Sequence, residues 1–233
     1  MEEQWLSVII PTLNEERNLA PLLERLATCE RVQVIVADGE SGDGTAAVAQ
    51  SLGAETISVP KGRARQMNAG AARAKGKALL FLHADSRPPR HFDLLVRRAL
   101  AAGAAGGAFA FAVEDDSPFL RFITRTTNFR SRRLGVVFGD QGIFANADAF
   151  RRAGGFPEQP IMEDYELVRR LRRIGEFLVL DEAVVTSGRR WRAVGAVRNS
   201  FVNVVITWAY VLGVPPARLE RWYRGMSGSG GGR

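Results

Sequence analysis

The chain has 233 residues, 46% of them apolar and 24% charged, which is the balance of a soluble globular protein with room for one large α/β domain. A single cysteine, Cys29, excludes an intramolecular disulfide framework and fits a reducing compartment. The net charge of +7 is mostly arginine, but there is no zinc-ligand spacing, RNA-binding aromatic signature or basic recognition helix, so nucleic acid is not the expected partner. The remaining explanations for the charge are substrate phosphates and the headgroups of an anionic bilayer.

The N-terminus, Met1-Glu2-Glu3-Gln4-Trp5, has neither a basic region nor an apolar core of signal type, so the expectation is a cytoplasmic protein, with peripheral contact to the inner membrane face left open. Strand one is predicted over Leu6 to Ile10. Leu19, Leu22, Leu23 and Leu26 then recur at helical spacing, with Asn18 as N-cap and Pro21 in the first turn. Strand two covers Val32 to Ala37, and its helix starts near Asp43 or Thr45 and stops at Gly53. Strand three covers Glu55 to Val59. A small-residue helix follows over Arg63 to Lys75, then strand four over Ala78 to Leu82. Pro88-Pro89 opens the next helix, which runs towards Ala102.

Beyond this point the pattern predicts a strand over Gly107 to Val113, a helix over Phe119 to Arg133, and a short strand over Gly142 to Asn146. That strand leads into a helix ending at Gly154-Gly155. A further helix is expected over Glu163 to Ile174, with Leu167, Val168 and Leu171 inward, followed by a strand over Phe177 to Leu180. Strands alternating with helices imply a mainly parallel sheet covered on both faces. The domain is expected to span residues 1–190, a helical extension 191–225, and a disordered Gly/Ser-rich tail 226–233. Within the extension, Phe201 to Val214 is strongly apolar but shorter than the roughly 20 residues of a membrane span. It reads as a core or homodimer helix, or as a helix lying on a bilayer.

Four acidic clusters carry the chemistry. Asn14-Glu15 follows strand one. Asp38 ends strand two and leads into Gly39-Glu40-Ser41-Gly42-Asp43-Gly44-Thr45, a turn whose backbone N–H groups suit a nucleotide and whose carboxylate can accept from a base edge. His83-Ala84-Asp85 closes strand four, and Glu163-Asp164 opens a helix. Carboxyl ends of parallel strands are where open α/β sheets hold ligands, and carboxylates gathered there suit a metal ion and a phosphorylated substrate.

Together these motifs resemble the inverting family-2 glycosyltransferases of the GT-A fold, across roughly residues 5 to 190. Ile9-Ile10-Pro11-Thr12-Leu13-Asn14-Glu15 and the Asp38 turn resemble the nucleotide-binding half of that family. His83-Ala84-Asp85 stands where the family has an Asp-x-Asp metal motif, and Glu163-Asp164 matches its Glu-Asp pair. Gly139-Asp140-Gln141-Gly142 and Gly154-Gly155-Phe156-Pro157 look like those of a bacterial subgroup labelled selenodomain- or radical-SAM-associated transferases.

The resemblance implies an α/β GT-A domain and a nucleotide-diphosphate sugar donor, with UDP favoured. Pro11, Asn14, Glu15, Asp38, Arg63, Arg65, Asn68, Ala84, Asp85, Arg189 and Arg190 would line the donor side. Asp85 would be the ligand of Mn²⁺ or Mg²⁺, with His83 either a second ligand or a hydrogen-bond donor; imidazole shifts the balance towards manganese. Asp164 would be the general base, a role for which a helix N-terminus favours negative charge. Asp140, Gln141, Glu163 and Trp191 would face a small or lipid-linked acceptor. Arg189-Arg190-Trp191 resembles the end of the Gln-x-x-Arg-Trp motif of processive members, but Ser187 replaces the glutamine and spanning segments are missing, which argues against polymer synthesis. Two other readings stand beside it: a sugar-phosphate nucleotidyltransferase, which the lack of glycine and lysine in Pro11 to Glu15 disfavours, and a catalytically silent binding protein, which only the His83 substitution supports.

Overall fold

The structure is a computed structural model that describes residues 5–114, 117–187 and 196–227. Eight strands form one sheet: β1 (Leu6–Thr12), β2 (Val32–Asp38), β3 (Glu55–Ser58), β4 (Ala78–Phe81), β5 (Ser86–Arg87), β6 (Gly106–Val113), β7 (Ile143–Asn146) and β8 (Phe177–Thr186). Their order across the sheet is β3-β2-β1-β4-β7-β6-β8-β5. β3, β2, β1 and β4 run parallel; β7 runs antiparallel between β4 and β6; β8 is parallel to β6, and short β5 pairs antiparallel with β8. The described helices are α1 (Glu16–Ala27), α2 (Thr45–Ser51), α3 (Arg63–Arg73), α4 (Phe92–Ala101), α5 (Pro118–Leu134), α6 (Ala147–Arg152), α7 (Glu163–Ile174), α8 (Ala196–Val211) and α9 (Pro216–Ser227). This mixed α/β architecture is the expected one.

Alternation along the central strands divides the core into two layers. Val8, Ile10 and Leu80 face Leu19, Leu22 and Leu26 of α1 and Phe92 and Val96 of α4. Ile9, Leu79 and Phe81 face the opposite way, against Met67 of α3, Phe150 of α6 and Leu167 and Leu171 of α7. Strands buried on both faces are continuous apolar runs because both sets of side chains leave water. On β6 the sequence Gly106-Gly107-Ala108 is small for a stated reason: a Cβ at Gly107 would lie 2.3 Å from the Phe144 ring and 2.6 Å from the Leu178 carbonyl oxygen. Phe144 fills that space and meets Phe109 edge-on, ring centroids 5.9 Å apart. Asn128 fastens α5 to β6 by imitating a strand, since its Oδ1 accepts from Phe111 N–H at 2.7 Å and its Nδ2 donates to Phe111 C=O at 3.0 Å.

Four details differ from the sequence reading. α1 begins at Glu16, so Asn18 is inside it and donates to Glu15 Oε2 at 2.6 Å instead of capping. Pro21 therefore lies within the helix, on its exposed face, where water can satisfy the carbonyl that the missing N–H leaves. β8 continues from Leu180 to Thr186 because Ala183, Val184 and Val185 pair with β6 beyond an irregularity at Ala108/Ala110. The helix of the apolar segment ends at Val211, short of Val214, and from Pro216 the chain forms α9, which carries Met226 in helix rather than tail. Residues 228–233 of the expected tail lie outside the described residues.

Phe144 joins the parallel half of the sheet to the antiparallel half through a contact that no neighbour can refill. Phe144→Ala is expected to lower unfolding free energy by about 3–5 kcal/mol, measured by urea denaturation; a loss below about 1 kcal/mol would contradict this packing.

Candidate active site

The carboxyl ends of β1, β2 and β4 open on one side of the sheet, and the loops that leave them are tied together by hydrogen bonds. Asp38 is buried at the end of β2, where Oδ1 accepts from Thr12 Oγ1 at 3.0 Å and Ser41 Oγ at 2.6 Å, and Oδ2 accepts from Ser41 N–H at 2.9 Å. Asn14, in the left-handed region at φ 55, accepts from Gly42 N–H through Oδ1 at 2.9 Å. Its own N–H donates to Ser41 Oγ at 2.9 Å. The acidic turn is thus latched onto the end of β1. Beneath it lies Gln66, which the sequence reading did not single out. Its Nε2 donates to Thr12 C=O at 2.7 Å and to Ala37 C=O at 2.8 Å, fixing the gap between β1 and β2.

A two-lobed cleft follows. One lobe, about 610 Å³, is lined by Pro11, Thr12, Leu13 and Glu15 from the end of β1 and by the loop and helix start Lys61 to Gln66. The other, about 510 Å³, is lined by Phe138, Gly139, Asp140, Met162 and Asp164, and by Asn203, Ile206, Thr207 and Tyr223 of the C-terminal helices. Arg63, His83, Asp85, Glu163, Glu220 and Arg224 border both. The predicted metal motif and Glu163 therefore meet where the lobes join, with Asp164 in the second lobe.

Asp85 is held from the far edge of the sheet. β5, directly after it, pairs with β8 through Ser86 and Thr186, and Ser187 Oγ donates to Asp85 Oδ2 at 3.0 Å. Glu163 and Asp164 open α7, preceded by Met162 in the left-handed region at φ 68. A non-glycine residue in that conformation is held by its surroundings, here Val202, Ile206 and Leu219, which pack on Met162. Asp164 is buried and accepts from Gly139 N–H through Oδ2 at 2.7 Å. Gly139 has no side chain for a reason of space: a Cβ there would stand 2.9 Å from His83 Nε2 and 3.3 Å from Asp164 Oδ2.

Charge in the cleft is balanced between carboxylates and guanidinium groups. Burial, and then the neighbouring Asp164, push the Glu163 carboxyl above the usual range, while Arg63 at 3.5 Å opposes them. For Arg63, burial works against the charge and the Glu163 and Asp164 carboxylates outweigh it, so its pKa rises. Arg130 lies over the Phe138 ring, 4.7 Å from its centroid, and burial lowers its pKa against the pull of Asp140 and Asp164.

Asn14 and Asp38, spent on latching the acidic turn, line neither lobe, and two further expected residues have other work. Asn68 lines neither lobe; its amide accepts from Phe156 N–H at 2.9 Å and donates to Phe156 C=O at 2.8 Å, clamping α3 to the loop before α7. Gln141 is fully buried, donating to Phe109 C=O at 3.1 Å and accepting from Ser131 Oγ at 2.9 Å, so it braces the site instead of facing an acceptor. Arg65 borders the first lobe and pairs with Glu158 at 3.0 Å. Ala84 lines the first lobe. Arg189, Arg190 and Trp191 lie outside the described residues. Sequence reasoning missed Asn203, Thr207, Glu220 and Arg224, although Pro215-Pro216 after Gly213 is a helix-start signal that would have found α9.

Residues 7–153, more than half of the chain, match the profile of Glycosyl transferase family 2. The chain belongs to that family. Among curated relatives, succinoglycan biosynthesis protein ExoA of Rhizobium meliloti is 29% identical over 191 residues, covering 72% of this chain and 58% of the relative. Undecaprenyl-phosphate 4-deoxy-4-formamido-L-arabinose transferase of Pectobacterium carotovorum is 30% identical over 161 residues, covering 61% and 48%. The chain thus spans about half the length of such relatives. Among solved structures, glucosyl-3-phosphoglycerate synthase of Mycobacterium tuberculosis, in complex with Mn²⁺, UDP-glucose and phosphoglyceric acid, shares the fold at a TM-score of 0.66 and 21% identity, covering 91% of this chain and 81% of the other. TarS of S. aureus with UDP gives 0.63 and 18%, covering 78% and 60%.

The raised Glu163 pKa gives a pH prediction. The folded state holds this proton more tightly than the unfolded state, so Glu163 lowers stability progressively as pH rises from its ordinary value of 4.5 through the folded value. Glu163→Gln is expected to flatten that decline, measured by urea denaturation at a series of pH values. Identical slopes for the two proteins would contradict the assignment.

Proposed function

We propose that this protein is an inverting glycosyltransferase that moves one sugar from a nucleoside-diphosphate donor, UDP-linked by preference, onto an acceptor hydroxyl by a single displacement. The observation that carries the reading is that Asp85, from a strand end, and Asp164, from a helix start, border one continuous cleft. The nucleoside occupies the lobe made by Pro11 to Glu15 and Lys61 to Gln66, near the latched Asp38 turn. The diphosphate lies at the junction, beside Arg63, and the acceptor enters the lobe of Phe138, Asp140 and Asp164.

Among the described residues no group of three His, Cys, Asp or Glu side chains could hold a metal by itself. Asp85 and His83, which border both lobes, are nevertheless the residues that would hold a divalent ion, a carboxylate being a hard ligand and imidazole one that manganese accepts. Such an ion supplies neutralisation of charge on the departing diphosphate. The chain's own residues supply the rest. Asp164, on the acceptor side, takes the proton of the acceptor hydroxyl. The freed oxygen bonds to the anomeric carbon as the bond from that carbon to the diphosphate oxygen breaks, and the electron pair leaves with the diphosphate. Arg63 meets that growing charge in a partly dehydrated cleft, where it counts for more than in water. An acceptor linked to a lipid is favoured by the relative named for undecaprenyl phosphate.

Asp85→Ala is expected to abolish the metal-dependent part of donor binding while the fold survives, measured by calorimetry with UDP in Mn²⁺ and in chelator. Unchanged binding would remove Asp85 from the metal site. Asp164→Asn is expected to keep donor binding and to lower the transfer or donor-hydrolysis rate by about 10²–10⁴-fold. Loss of donor affinity with an unchanged rate would reverse the two roles.

A further inference from the structure

α8 has two apolar faces, and the described residues cover one of them. Val202 and Ile206 are buried against Met162 and Leu219, beside the cleft-lining Asn203 and Thr207. Phe201, Val204, Trp208 and Val211, at helical spacing, occupy another face, and each is at least 50% exposed. α5 lies against α8 and exposes Phe122 and Phe129, while α9 packs on α8 and exposes Trp222. Large exposed apolar side chains are thus gathered on three neighbouring helices, where scattered single residues would be ordinary.

The charge on the same helices has one sign. Of the nine arginines on α5, α8 and α9, Arg130 is held over the Phe138 ring, Arg132 pairs with Asp181 and Arg224 lines the cleft with Glu220, the single acidic residue on these helices; the other six are exposed. A second copy of this chain, applied through a two-fold axis, would bring these arginines against their equivalents, which costs association energy. An anionic lipid surface satisfies both features, taking the aromatic side chains at its boundary and the guanidinium groups at its phosphates. No helix among the described residues is long and apolar enough to cross a membrane, so the mode of contact is lying on the surface.

We infer that the outward face of α5, α8 and α9 docks this protein onto an anionic bilayer. The inward face of α8 then sets the acceptor lobe at headgroup level. The docking stands on the surface itself, whereas the last consequence rests on the proposed acceptor lobe.

The test is co-sedimentation of the full chain with phosphatidylcholine vesicles, with and without about 30% phosphatidylglycerol, at about 0.05 and 0.5 M salt, run beside light scattering. The expected result is binding to the anionic vesicles that falls several-fold at high salt and on neutral lipid. Phe201→Ser with Trp208→Ser should reduce the bound fraction tenfold or more. Arg218→Gln with Arg221→Gln should reduce it as well, and this pair decides the matter if the first pair does not fold. Equal sedimentation with and without vesicles would overturn the inference. So would a dimer that ignores vesicles and falls apart in the Phe201→Ser, Trp208→Ser protein, since that would give the face to a second copy. Donor binding in solution is read separately, so failure here leaves the catalytic reading standing.

Discussion

Two adjacent carboxylates, Glu163 and Asp164, are buried at the start of α7, and a protein cannot leave such a pair uncompensated. The compensation comes from across the cleft. Arg63, at the start of α3, reaches Glu163, so α3 is bound electrostatically to the start of α7. Both lobes take their shape from this contact. One is walled by the loop that delivers Arg63, the other by the loop that delivers Asp164. Glu163 is buried while the Arg63 side chain is 44% exposed, so the pair contributes little net stability, but removing Arg63 leaves a costly lone carboxylate. It therefore fixes an arrangement more than it strengthens a fold.

The other supports of the site are short-range and steric. Gln66 holds β1 and β2 at a fixed spacing, Asn68 ties α3 to the loop before α7, and Gly139 lets His83 and Asp164 stand close. The two amide contacts touch no reacting group in the proposed chemistry, whereas Gly139 N–H holds the Asp164 carboxylate itself. Each removes freedom from the site, which is how a cleft can be preorganised on loops.

The parallel half of the fold was legible because its strands are buried on both faces, and such runs stand out as unbroken apolar stretches. The start and end of α7 were legible from the periodic placement of Leu167, Val168 and Leu171. The extension of β8 to Thr186 was not, because Asp181 and Glu182 interrupt the apolar run while the pairing with β6 resumes beyond them. Asn68 and Gln141 were misread for a physical reason: an amide can imitate a backbone group or meet a ligand, and sequence does not distinguish these uses. The four acidic clusters were visible as motifs, but only three of them line the cleft, and the placing of Asp85 there depends on pairing between β5 and β8, residues roughly a hundred positions apart. α8 was ambiguous for a further reason. Its apolar residues surround the helix, so its periodicity does not mark one core-facing side.

The central claim is that the base and the departing diphosphate lie on opposite sides of the anomeric carbon, between the Asp164 wall and the Asp85 wall. Stereochemistry tests it without knowledge of the acceptor, because water can serve as a slow substitute. Proton NMR of the first sugar released from a nucleoside-diphosphate sugar that the protein hydrolyses, recorded before the anomers equilibrate, reads the outcome directly. The inverted anomer is expected, formed first and lost in Asp164→Asn. Release of the retained anomer would contradict this arrangement.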